Sequence, residues 1–480
     1  MEDYRRLADR IADDIVTGRL RPGERLPTQR AFARRTGIAG STAGRVYGEL
    51  VRRGLVVGEV GRGTFVRAAP VPSGRALAEP ATGAPRTTDP TSPDPTTSDP
   101  TTAGPVTTAW ADGDPDHPSA PVNMELNYPS APGQSELLAP ALAPLLRPDL
   151  LTEVLRPASV TGTAPVRAAA ATLLATAGWR PDPSRLLFAG NARQAIAGAL
   201  ASLVRPGGRV GVEALTYPLV KEIAARLGIV LVPLAMDEEG LLPDAVATAH
   251  RSAPLSAVYV QPTLHNPTSV TAGYLRRSEL AAVVRQLDLP VVEDRIWSFL
   301  YQDLAPLAAH APERVLVVDG LSKRVAPGLT VGFLVVPEGR AGAVGAALRS
   351  GGWAAGGFAL EAAVRWIADG TVGRLVTAKR ADAARRQGLV AEHLADFTVH
   401  ADPHAYFAWW ELPKPWRADT FTAAAAARGI AVTPGPAFVV SPASGTGSVA
   451  DCVRLGLASA APRQLERALR TLAGLARSGP

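Results

Sequence analysis

Apolar positions near the start of the chain follow the period of an α-helix. Leu7, Ile11 and Ile15 lie on one side of a predicted helix over residues 4–18, and Gly18 is typical of a helix end. A second helix is predicted at residues 29–36, directly after Thr28. The stretch 37–40, which begins and ends with glycine, predicts a turn before a third helix.

The third helix and the residues after it complete the pattern. Ser41 is the predicted N-cap, and the helix is expected to run to about Arg53. Its side chains divide into an inward set and an outward set, namely Val46, Leu50 and Val51 against Thr42, Arg45 and Arg52. Residues 55–57 and 64–66 then predict a β-hairpin with its tip at 61–63. A helix, a helix-turn-helix and a wing are typical of a domain whose second paired helix enters the major groove of DNA.

Residues 70–121 interrupt this regular patterning. They hold twelve prolines among Thr, Ser, Ala and Asp, without an apolar period. Such a segment buries too little apolar surface to offset the entropy lost on ordering, which predicts disorder. We therefore expect a winged helix-turn-helix head over 1–67, a Pro/Thr/Asp-rich disordered linker over 68–121 and a larger body over 122–480.

Short apolar runs alternate with helical patterns throughout the body. The runs lie at 186–188, 209–213, 229–233, 257–261, 290–294 and 315–319, and helix-length stretches rich in Ala, Leu and Arg separate them. This alternation predicts an α/β domain in which helices cover both faces of a mostly parallel sheet.

Composition and charge add a location and a partner. Of all residues, 46% are hydrophobic and 20% are charged, no apolar run is long enough to span a membrane, and no secretory segment is expected at the start. A single cysteine, Cys452, fits a reducing cytoplasm. The head carries 14 arginines against 8 acidic residues, a net charge of +6 that favours a polyanionic partner. The alternative is an arginine-rich surface with no such partner.

Two stretches of the head carry a family resemblance. Residues 18–30 (GRLRPGERLPTQR) resemble the opening of GntR-type winged helix-turn-helix regulators, and residues 61–66 (GRGTFV) resemble their wing. The resemblance implies promoter or operator DNA as a double-stranded partner. It also implies five residues that face this DNA: Arg30, Ser41, Thr42, Arg45 and Arg62. For the arginines, the alternative is a solvated helix surface.

One lysine of the body has a setting suited to covalent chemistry. Lys323 follows the predicted strand at 315–319 and precedes a Pro-Gly turn, in a chain with only four lysines. A buried lysine loses its proton readily and becomes the nucleophile that a Schiff base requires. Taken alone, a lysine in such a place is more often part of a surface loop.

Other polar residues lie where predicted strands end. Asp294 ends a strand and can pair with a protonated pyridine nitrogen, and Asn266 can hydrogen-bond a phenolic oxygen. The segment 190–194 opens a helix whose N–H groups suit a phosphate. Tyr217 can lie against an aromatic ring, and Arg454 can bind a carboxylate. Each has a structural alternative: turn caps for Asn266 and Asp294, core packing for Tyr217 and a surface ion pair for Arg454.

The order of these pieces resembles the fold-type I, class I/II aminotransferases that use pyridoxal 5′-phosphate, over about residues 123–478. The resemblance implies Lys323 as the catalytic Schiff-base lysine, Asp294 as the pyridinium partner and Arg454 as the site of a substrate carboxylate. It implies further cofactor contacts through the ring, its oxygen and the phosphate, at Tyr217, Asn266, Asn191, Ala192 and Ser322. It also implies a large mostly parallel sheet domain and a small α+β subdomain, which includes residues 406–409 and 433–438.

Two positions depart from that family. Thr330 stands where the family usually has a phosphate-binding arginine, and Ile296 stands where related regulators usually have a tyrosine at the ring oxygen. We expect Arg193, in the first turn of the phosphate-binding helix, or Arg324 to supply the missing positive charge. The missing tyrosine is expected to affect transamination more than cofactor binding.

A GntR-type head, a linker and an aminotransferase-like body together resemble the MocR-type transcriptional regulators. The resemblance implies a cytoplasmic, nucleoid-associated regulator, homodimeric through its body, that senses pyridoxal phosphate or a small amino compound through an aldimine at Lys323. Two alternatives stay open: an active aminotransferase with an accessory DNA-binding domain, and a body that only dimerises and binds no cofactor. His265 is a candidate for the pocket edge. No metal site is expected, because Pro403 argues against a helix that would align His400 with His404.

Overall fold

The computed structural model describes residues 4–16, 19–20, 25–53, 55–59, 63–66, 121–301, 304–440 and 451–479. These residues form two compact units, one from the ranges 1–122, 419–431 and 461–468 and the other from the ranges 123–418, 432–460 and 469–480. The predicted linker, apart from Pro121, lies outside the described residues, and so does Arg62 in the predicted wing tip.

The head contains three helices and a hairpin: α1 (Tyr4–Val16), α2 (Gln29–Thr36), α3 (Gly40–Arg52), β1 (Val56–Glu59) and β2 (Gly63–Val66). The Thr28 hydroxyl accepts a hydrogen bond from the backbone N–H of Ala31, and Gly37 ends α2 in the left-handed region with φ 66°. The two strands pair antiparallel. Residues of all five elements share one apolar core, which includes Leu7, Phe32, Leu50, Val56 and Val66. The predicted order of helix, helix-turn-helix and wing strands is confirmed.

Two details of α3 differ from the sequence prediction. The N-cap is Ala39, which has no side-chain oxygen to bond the first turn. The chain is already extended at Ala39, so the helix begins at Gly40 and Ser41 is an exposed residue of its first turn. Val51 was expected to face inward, but it is 49% exposed. Leu50 takes the buried position, and adjacent helical residues point about 100° apart.

The body is built from many short elements. In chain order the first are β3 (Val122–Asn123), α4 (Gln134–Leu142), α5 (Pro148–Val154), α6 (Ala164–Leu174), β4 (Leu186–Ala189), α7 (Ala192–Leu203), β5 (Arg209–Glu213), α8 (Pro218–Leu227), β6 (Val230–Leu234), β7 (Met236–Asp237), β8 (Gly240–Leu241), α9 (Pro243–Ser252), β9 (Ala257–Val260), α10 (Tyr274–Gln286), β10 (Val291–Asp294), β11 (Val315–Gly320) and α11 (Leu321–Arg324). They continue with β12 (Gly332–Val335), α12 (Ala341–Ser350), α13 (Gly357–Ala368), α14 (Thr371–His393), β13 (Val399–Ala401), β14 (Phe407–Glu411), α15 (Ala418–Ala426), β15 (Ile430–Ala431), β16 (Thr433–Pro434), β17 (Cys452–Gly456) and α16 (Pro462–Ser478).

The large sheet has seven strands in the order β4-β12-β11-β10-β9-β5-β6. The pairs from β11 to β6 are parallel, and β12 runs antiparallel to both of its neighbours. The prediction of a mostly parallel sheet is confirmed, and each of the six predicted strands is present to within one residue at either end. β12 was missed because it follows β11 without a crossover helix of ordinary length.

Successive residues of the central strands face two different cores. Val315 and Val317 of β11 pack in a core that includes residues of α6, α10 and α13. Leu316 and Val318, between and after them, pack in a second core with residues of α7, α8 and α12. Because side chains alternate along a strand, this division shows helices on both faces of the sheet, as the apolar runs predicted.

A second sheet of four antiparallel strands, β13-β14-β17-β16, forms the smaller part of the body. Its register sets Arg454 of β17 opposite Trp409 of β14 on one side and Thr433 of β16 on the other. The long helix α14 binds backbone beside both sheets: Lys379 donates to the carbonyl of Val325, and Gln387 donates to the carbonyl of Ala405. Within the described ranges, no helix has the length and apolar character that a membrane crossing needs.

Candidate functional site

Lys323 lies on α11, the single helical turn that follows β11. Its Nζ donates a hydrogen bond to the carbonyl of Asn127 at 2.6 Å. The same nitrogen lies 4.0 Å from the ring centre of Tyr128 and 5.1 Å from that of Trp297. The lysine therefore points into an aromatic pocket rather than into solvent, unlike the surface-loop alternative.

The surroundings of Lys323 favour its neutral amine. Burial lowers the pKa of Lys323 well below its usual 10.5, and the charges of Arg193, Arg454 and Lys379 lower this pKa further. No carboxylate pairs with its Nζ within the described part of the chain. A neutral amine carries the free electron pair that nucleophilic attack on an aldehyde requires.

Asp294 is the last residue of β10 and is 2% exposed. Its Oδ2 accepts hydrogen bonds from the hydroxyl of Tyr259 at 2.7 Å and from Nε2 of Gln261 at 3.0 Å. Its Oδ1 accepts the backbone N–H of Ile296, which is the turn-cap contact considered from the sequence. Burial raises the pKa of Asp294. A cation next to this carboxyl group would oppose that shift and favour the ionised form.

Asn266 is connected to Asp294 through one residue. Its backbone N–H donates to Oε1 of Gln261, which in turn binds Asp294. Asn266 is buried, and its Oδ1 has no hydrogen-bond partner in the described structure. Since rotation of the amide exchanges oxygen and nitrogen, this position can offer either an acceptor or a donor to a bound molecule.

Tyr217 and His265 flank this group. Tyr217 precedes α8 and is partly buried against the second core. Burial raises the pKa of Tyr217. The charge of Asp294 raises this pKa further, whereas the charges of Arg193 and Arg454 lower it, which shows that the three charged groups are close to the Tyr217 hydroxyl. His265 is fixed by two hydrogen bonds: its Nε2 donates to the backbone carbonyl of Leu215, and its Nδ1 accepts from the Thr268 hydroxyl, as a neutral ring requires, because burial lowers its pKa to about 4.

The start of α7 faces β12 at close range. Asn191 is the N-cap, and its Oδ1 accepts the backbone N–H of Gln194 at 3.0 Å. Ala192 is buried at the first helical position, and Ser322 is half-buried on α11. A Cβ on Gly332 would lie 2.3 Å from the backbone oxygen of Asn191, so only glycine permits this approach. The first-turn amides of such a helix have no partners within the helix and suit an anion.

The two arginines considered for the phosphate have different surroundings. Arg193 is exposed, and its Nη2 donates to the hydroxyl of Tyr128, the ring that lies beside Lys323. Arg324 is buried and forms an ion pair with Asp319, at 2.5 Å between Nη2 and Oδ2. Thr330 has a buried Oγ1 without a hydrogen-bond partner in the described structure.

Arg454 is buried in β17, contrary to the surface ion pair considered from the sequence. Its Nη2 donates to the carbonyl of Glu125 at 2.5 Å and to Oγ1 of Thr433 at 3.0 Å. The guanidinium lies 5.7 Å from the ring centre of Phe438. Its Nε is buried with no partner among the described atoms, and burial lowers its pKa to about 10. A planar cation with an unused donor can bind a carboxylate.

Sequence reasoning missed the segment that joins these parts. Residues 125–128 bind Arg454 through the carbonyl of Glu125, Lys323 through the carbonyl of Asn127, and Arg193 through the hydroxyl of Tyr128. An aromatic residue followed by proline, just ahead of the first helix of the body, was the available signal. Tyr259, Gln261 and Trp297 were also not identified as site residues.

The head presents its candidate DNA contacts on α2 and α3. Arg30, Ser41 and Arg45 are exposed, and Thr42 is half-buried. Within the described residues, no carboxylate forms an ion pair with Arg30 or Arg45, whereas Arg52 is held by Glu49. The guanidinium groups of Arg30, at the start of α2, and of Arg45, on the second paired helix α3, are suited to DNA phosphates and base edges.

Comparisons with known proteins identify both parts of the chain. The family described as "Aminotransferase class I and II" matches residues 155–472, and "Bacterial regulatory proteins, gntR family" matches residues 3–66. The chain therefore belongs to the aminotransferase class I and II family. With the GntR helix-turn-helix domain ahead of it, the chain is a fusion of a DNA-binding domain with an aminotransferase-like domain, the arrangement of MocR-type regulators.

Relatives and solved structures agree with this assignment. The HTH-type transcriptional regulator YdeF of Bacillus subtilis is 27% identical over 91% of this chain and 87% of its own length. The regulator TauR of Rhodobacter capsulatus is 30% identical over 69% of this chain and 67% of its own length. An archaeal alanine:glyoxylate aminotransferase has a TM-score of 0.68 at 19% identity, over 75% of this chain and 91% of its own, and shows the fold-type I architecture.

The site residues fit the cofactor of this family. The aminotransferase class I/II fold implies that the body binds pyridoxal phosphate. The cofactor needs a nucleophilic amine, a buried carboxylate for its ring nitrogen and an anion site for its phosphate. Lys323, Asp294 and the start of α7 are groups of these three kinds, and the unpartnered atoms of Asn266 and Thr330 leave further polar positions. No residue of this set conflicts with the cofactor's chemistry.

Proposed function

We propose that this protein is a DNA-binding transcriptional regulator whose body holds pyridoxal phosphate at Lys323 and senses a small amino compound, or the cofactor itself, at that site. The observation that carries the proposal is the buried Lys323 amine, with its pKa lowered, in a chain that also has a GntR-type head. When bound, the cofactor supplies an aldehyde that takes up primary amines and a ring that withdraws electrons.

The residues around the cofactor would have separate tasks. Lys323 would provide the nucleophilic amine, and its proton would be lost to solvent because burial and nearby cations disfavour the charged form. Asp294 would hold the ring nitrogen in its protonated state, oriented by Tyr259 and Gln261. Tyr217 would lie against the ring and Asn266 would bind its oxygen.

The phosphate would bind at the start of α7. Asn191, Ala192 and Ser322 would surround it, and Arg193 would supply the charge that Thr330 does not. Arg324 is the weaker candidate because Asp319 already pairs with it. Arg193→Ala should weaken cofactor binding by roughly tenfold to a hundredfold, since a charge-assisted contact is worth about 1.5–3 kcal/mol. The exposed Arg226 on α8 offers a control in Arg226→Ala, and equal affinities for the two variants would exclude Arg193.

Arg454 would bind the carboxylate of an effector amino acid. The unpartnered Nε and the pairing of Nη2 with a backbone carbonyl support this role. The domains would be a head at 1–67, a linker at 68–121 and a body at 122–480. Two bodies would form a homodimer in the cytoplasm, with Arg30, Ser41, Thr42, Arg45 and Arg62 of each head at the DNA.

The proposal is tested with the full-length protein. Visible absorption after addition of pyridoxal phosphate, compared between wild type and Lys323→Ala, measures covalent uptake. Fluorescence anisotropy with labelled promoter DNA is then measured with and without candidate amines. We expect an amine to change DNA affinity in wild type but not in Lys323→Ala. By linkage, DNA must change amine affinity by the same factor. Amine-independent DNA binding in both proteins would refute the sensor.

An active aminotransferase is the second candidate. It is favoured by the presence of Lys323, Asp294 and Arg454 in one compact unit, where Asp294 and Arg454 are buried and Lys323 is half-buried. Transfer of an amino group from an amino acid to a keto acid, with turnover lost in Lys323→Ala, would support it. Ile296, in place of the tyrosine that related regulators usually have, argues for slow turnover.

A further inference from the structure

The chain has only four lysines, and Lys379 is completely buried, more deeply than the half-buried Lys323. Lys379 lies in α14, is 0% exposed, and donates hydrogen bonds to two backbone carbonyls, that of Lys323 at 3.0 Å and that of Val325 at 2.8 Å. Within the described residues, no carboxylate pairs with its Nζ. A buried lysine without a counterion is costly.

The two carbonyls bound by Lys379 lie at the C-terminal end of the turn that carries the Lys323 amine. α11 has only four residues, and its last carbonyls have no helical partners. Lys379 bonds to one of them and to the carbonyl of Val325, the C-cap residue. The next residue on α14, Arg380, also binds backbone. It donates hydrogen bonds to the carbonyls of Phe299 and Tyr301, five and seven residues after Asp294. Two adjacent residues of α14 therefore bind the backbone of the two segments that carry Lys323 and follow Asp294.

Lys379 also acts on Lys323 through its charge. It is one of the three cations that lower the pKa of Lys323. Burial lowers the pKa of Lys379 itself to about 7, so its positive charge is fully present only below neutral pH. The ionisable residues nearest to it are Lys323, whose carbonyl it binds, Tyr406, whose hydroxyl donates to its own carbonyl, and Asp382, three residues further along α14. Asp382 is held by Arg386 and Tyr406, which leaves Lys379 without an acidic partner.

We propose that Lys379 is a positioning residue for Lys323: it fixes the backbone of α11 from α14 and holds the Lys323 amine in its neutral, nucleophilic form. This inference rests on the proposed function only in taking Lys323 as the amine that binds the cofactor. The hydrogen bonds of Lys379 and its effect on the charge of Lys323 are present without cofactor, so the test uses the cofactor-free protein.

The test uses the cofactor-free, full-length protein and acetic anhydride, which acylates neutral amines. Peptide mass spectrometry follows acylation of Lys323 against pH, with the exposed Lys414 as an internal reference. In Lys379→Met, which has a similar volume but no charge and no donor, the midpoint for Lys323 should move to higher pH. Lys379→Arg, which is charged at every pH of the titration, should keep the midpoint at or below the wild-type value. Amide hydrogen exchange over residues 321–326 should rise in the Met variant.

A matched control is present in the chain. Lys221 on α8 also donates to two backbone carbonyls, those of Ala437 and Val439, but it does not act on Lys323. Lys221→Met should leave the Lys323 midpoint and exchange at 321–326 unchanged. An unchanged midpoint in Lys379→Met, or an equal shift in Lys221→Met, would overturn the inference. If Lys379→Met does not fold, Lys379→Gln, which is neutral but keeps a donor, decides in the same way. A protein that takes up no pyridoxal phosphate but shows the midpoint shift would refute the proposed function and leave this inference standing.

Discussion

Glu213 at the end of β5 makes the stability of the body depend on pH in a calculable way. The side chain is 1% exposed, its Oε1 accepts the backbone N–H of Gln261, and its Oε2 has no hydrogen-bond partner among the described atoms. Burial raises the pKa of Glu213 from 4.5 to about 8, and the charge of Asp294 adds to the rise. His265 lies 3.7 Å away, but burial lowers its pKa to about 4, so it carries no compensating charge at neutral pH.

The sign and the size of the effect follow from proton linkage. Between pH 4.5 and 8 the unfolded chain has released this proton while the folded protein still holds it. The stability associated with the raised pKa is therefore complete below pH 4.5 and is lost as the pH rises towards 8. The loss is at most ~1.4 kcal/mol for each pH unit, or ~3 kcal/mol at pH 7. Relaxation around the charge reduces this value, so we expect about 1–3 kcal/mol.

Glu213→Gln removes the titrating proton and keeps the acceptor for Gln261. We expect the variant to match wild type near pH 4.5 and to be about 1–3 kcal/mol more stable at pH 7–8. Urea unfolding followed by tryptophan fluorescence measures this, since seven of the eight tryptophans lie in the body and none lies in the head. Glu338→Gln, at an exposed carboxylate, is the control. Parallel stability profiles for wild type and Glu213→Gln from pH 5 to 8.5 would refute the reasoning.

Three further outcomes are expected. Arg45→Ala should weaken operator binding about tenfold and lower the slope of log affinity against log salt concentration by about one, as measured by fluorescence anisotropy at several salt concentrations. Arg52→Ala is the control and should have less effect, because Glu49 already pairs with Arg52. Leu50→Ala should destabilise the head by ~2–5 kcal/mol in thermal unfolding, because Leu50 is 0% exposed in its core. Arg454→Ala should abolish the effect of amino acids that carry a carboxylate, while cofactor uptake, read from absorption, changes little.

The local elements of both parts were accessible from the sequence because short-range patterns set them. Thr28 before α2, the apolar period of α1 and the hairpin strands of the wing were predicted and are present. The start of α3 was predicted wrongly. Serine is preferred at N-caps, but the backbone is already extended at Ala39, so the helix begins at Gly40 and Ser41 lies inside it. Val51 shows the same limit, since an apolar residue at the margin of a helix face is buried only if a neighbour covers it.

The candidate site was only partly accessible. Lys323 and Asp294 stand at the ends of strands that apolar runs reveal, so their order along the chain was informative, whereas Arg454 lies inside β17, which no predicted run covered. Asn127 and Tyr128 lie about two hundred residues from Lys323 in sequence, and nothing local marks them as its partners. Lys379 was indistinguishable from any lysine on a long helix until α14 was seen against α11.

The sequence alone determined which reactive side chains are present and which segments form many of the strands and helices, because side-chain periodicity and backbone preference act within a few residues. Tertiary structure decided their states. It is the packing of distant segments that excludes water from Lys323, Lys379 and Glu213, and the loss of water is what shifts their pKa values and converts ordinary side chains into an amine nucleophile, an unpaired cation and a protonated acid.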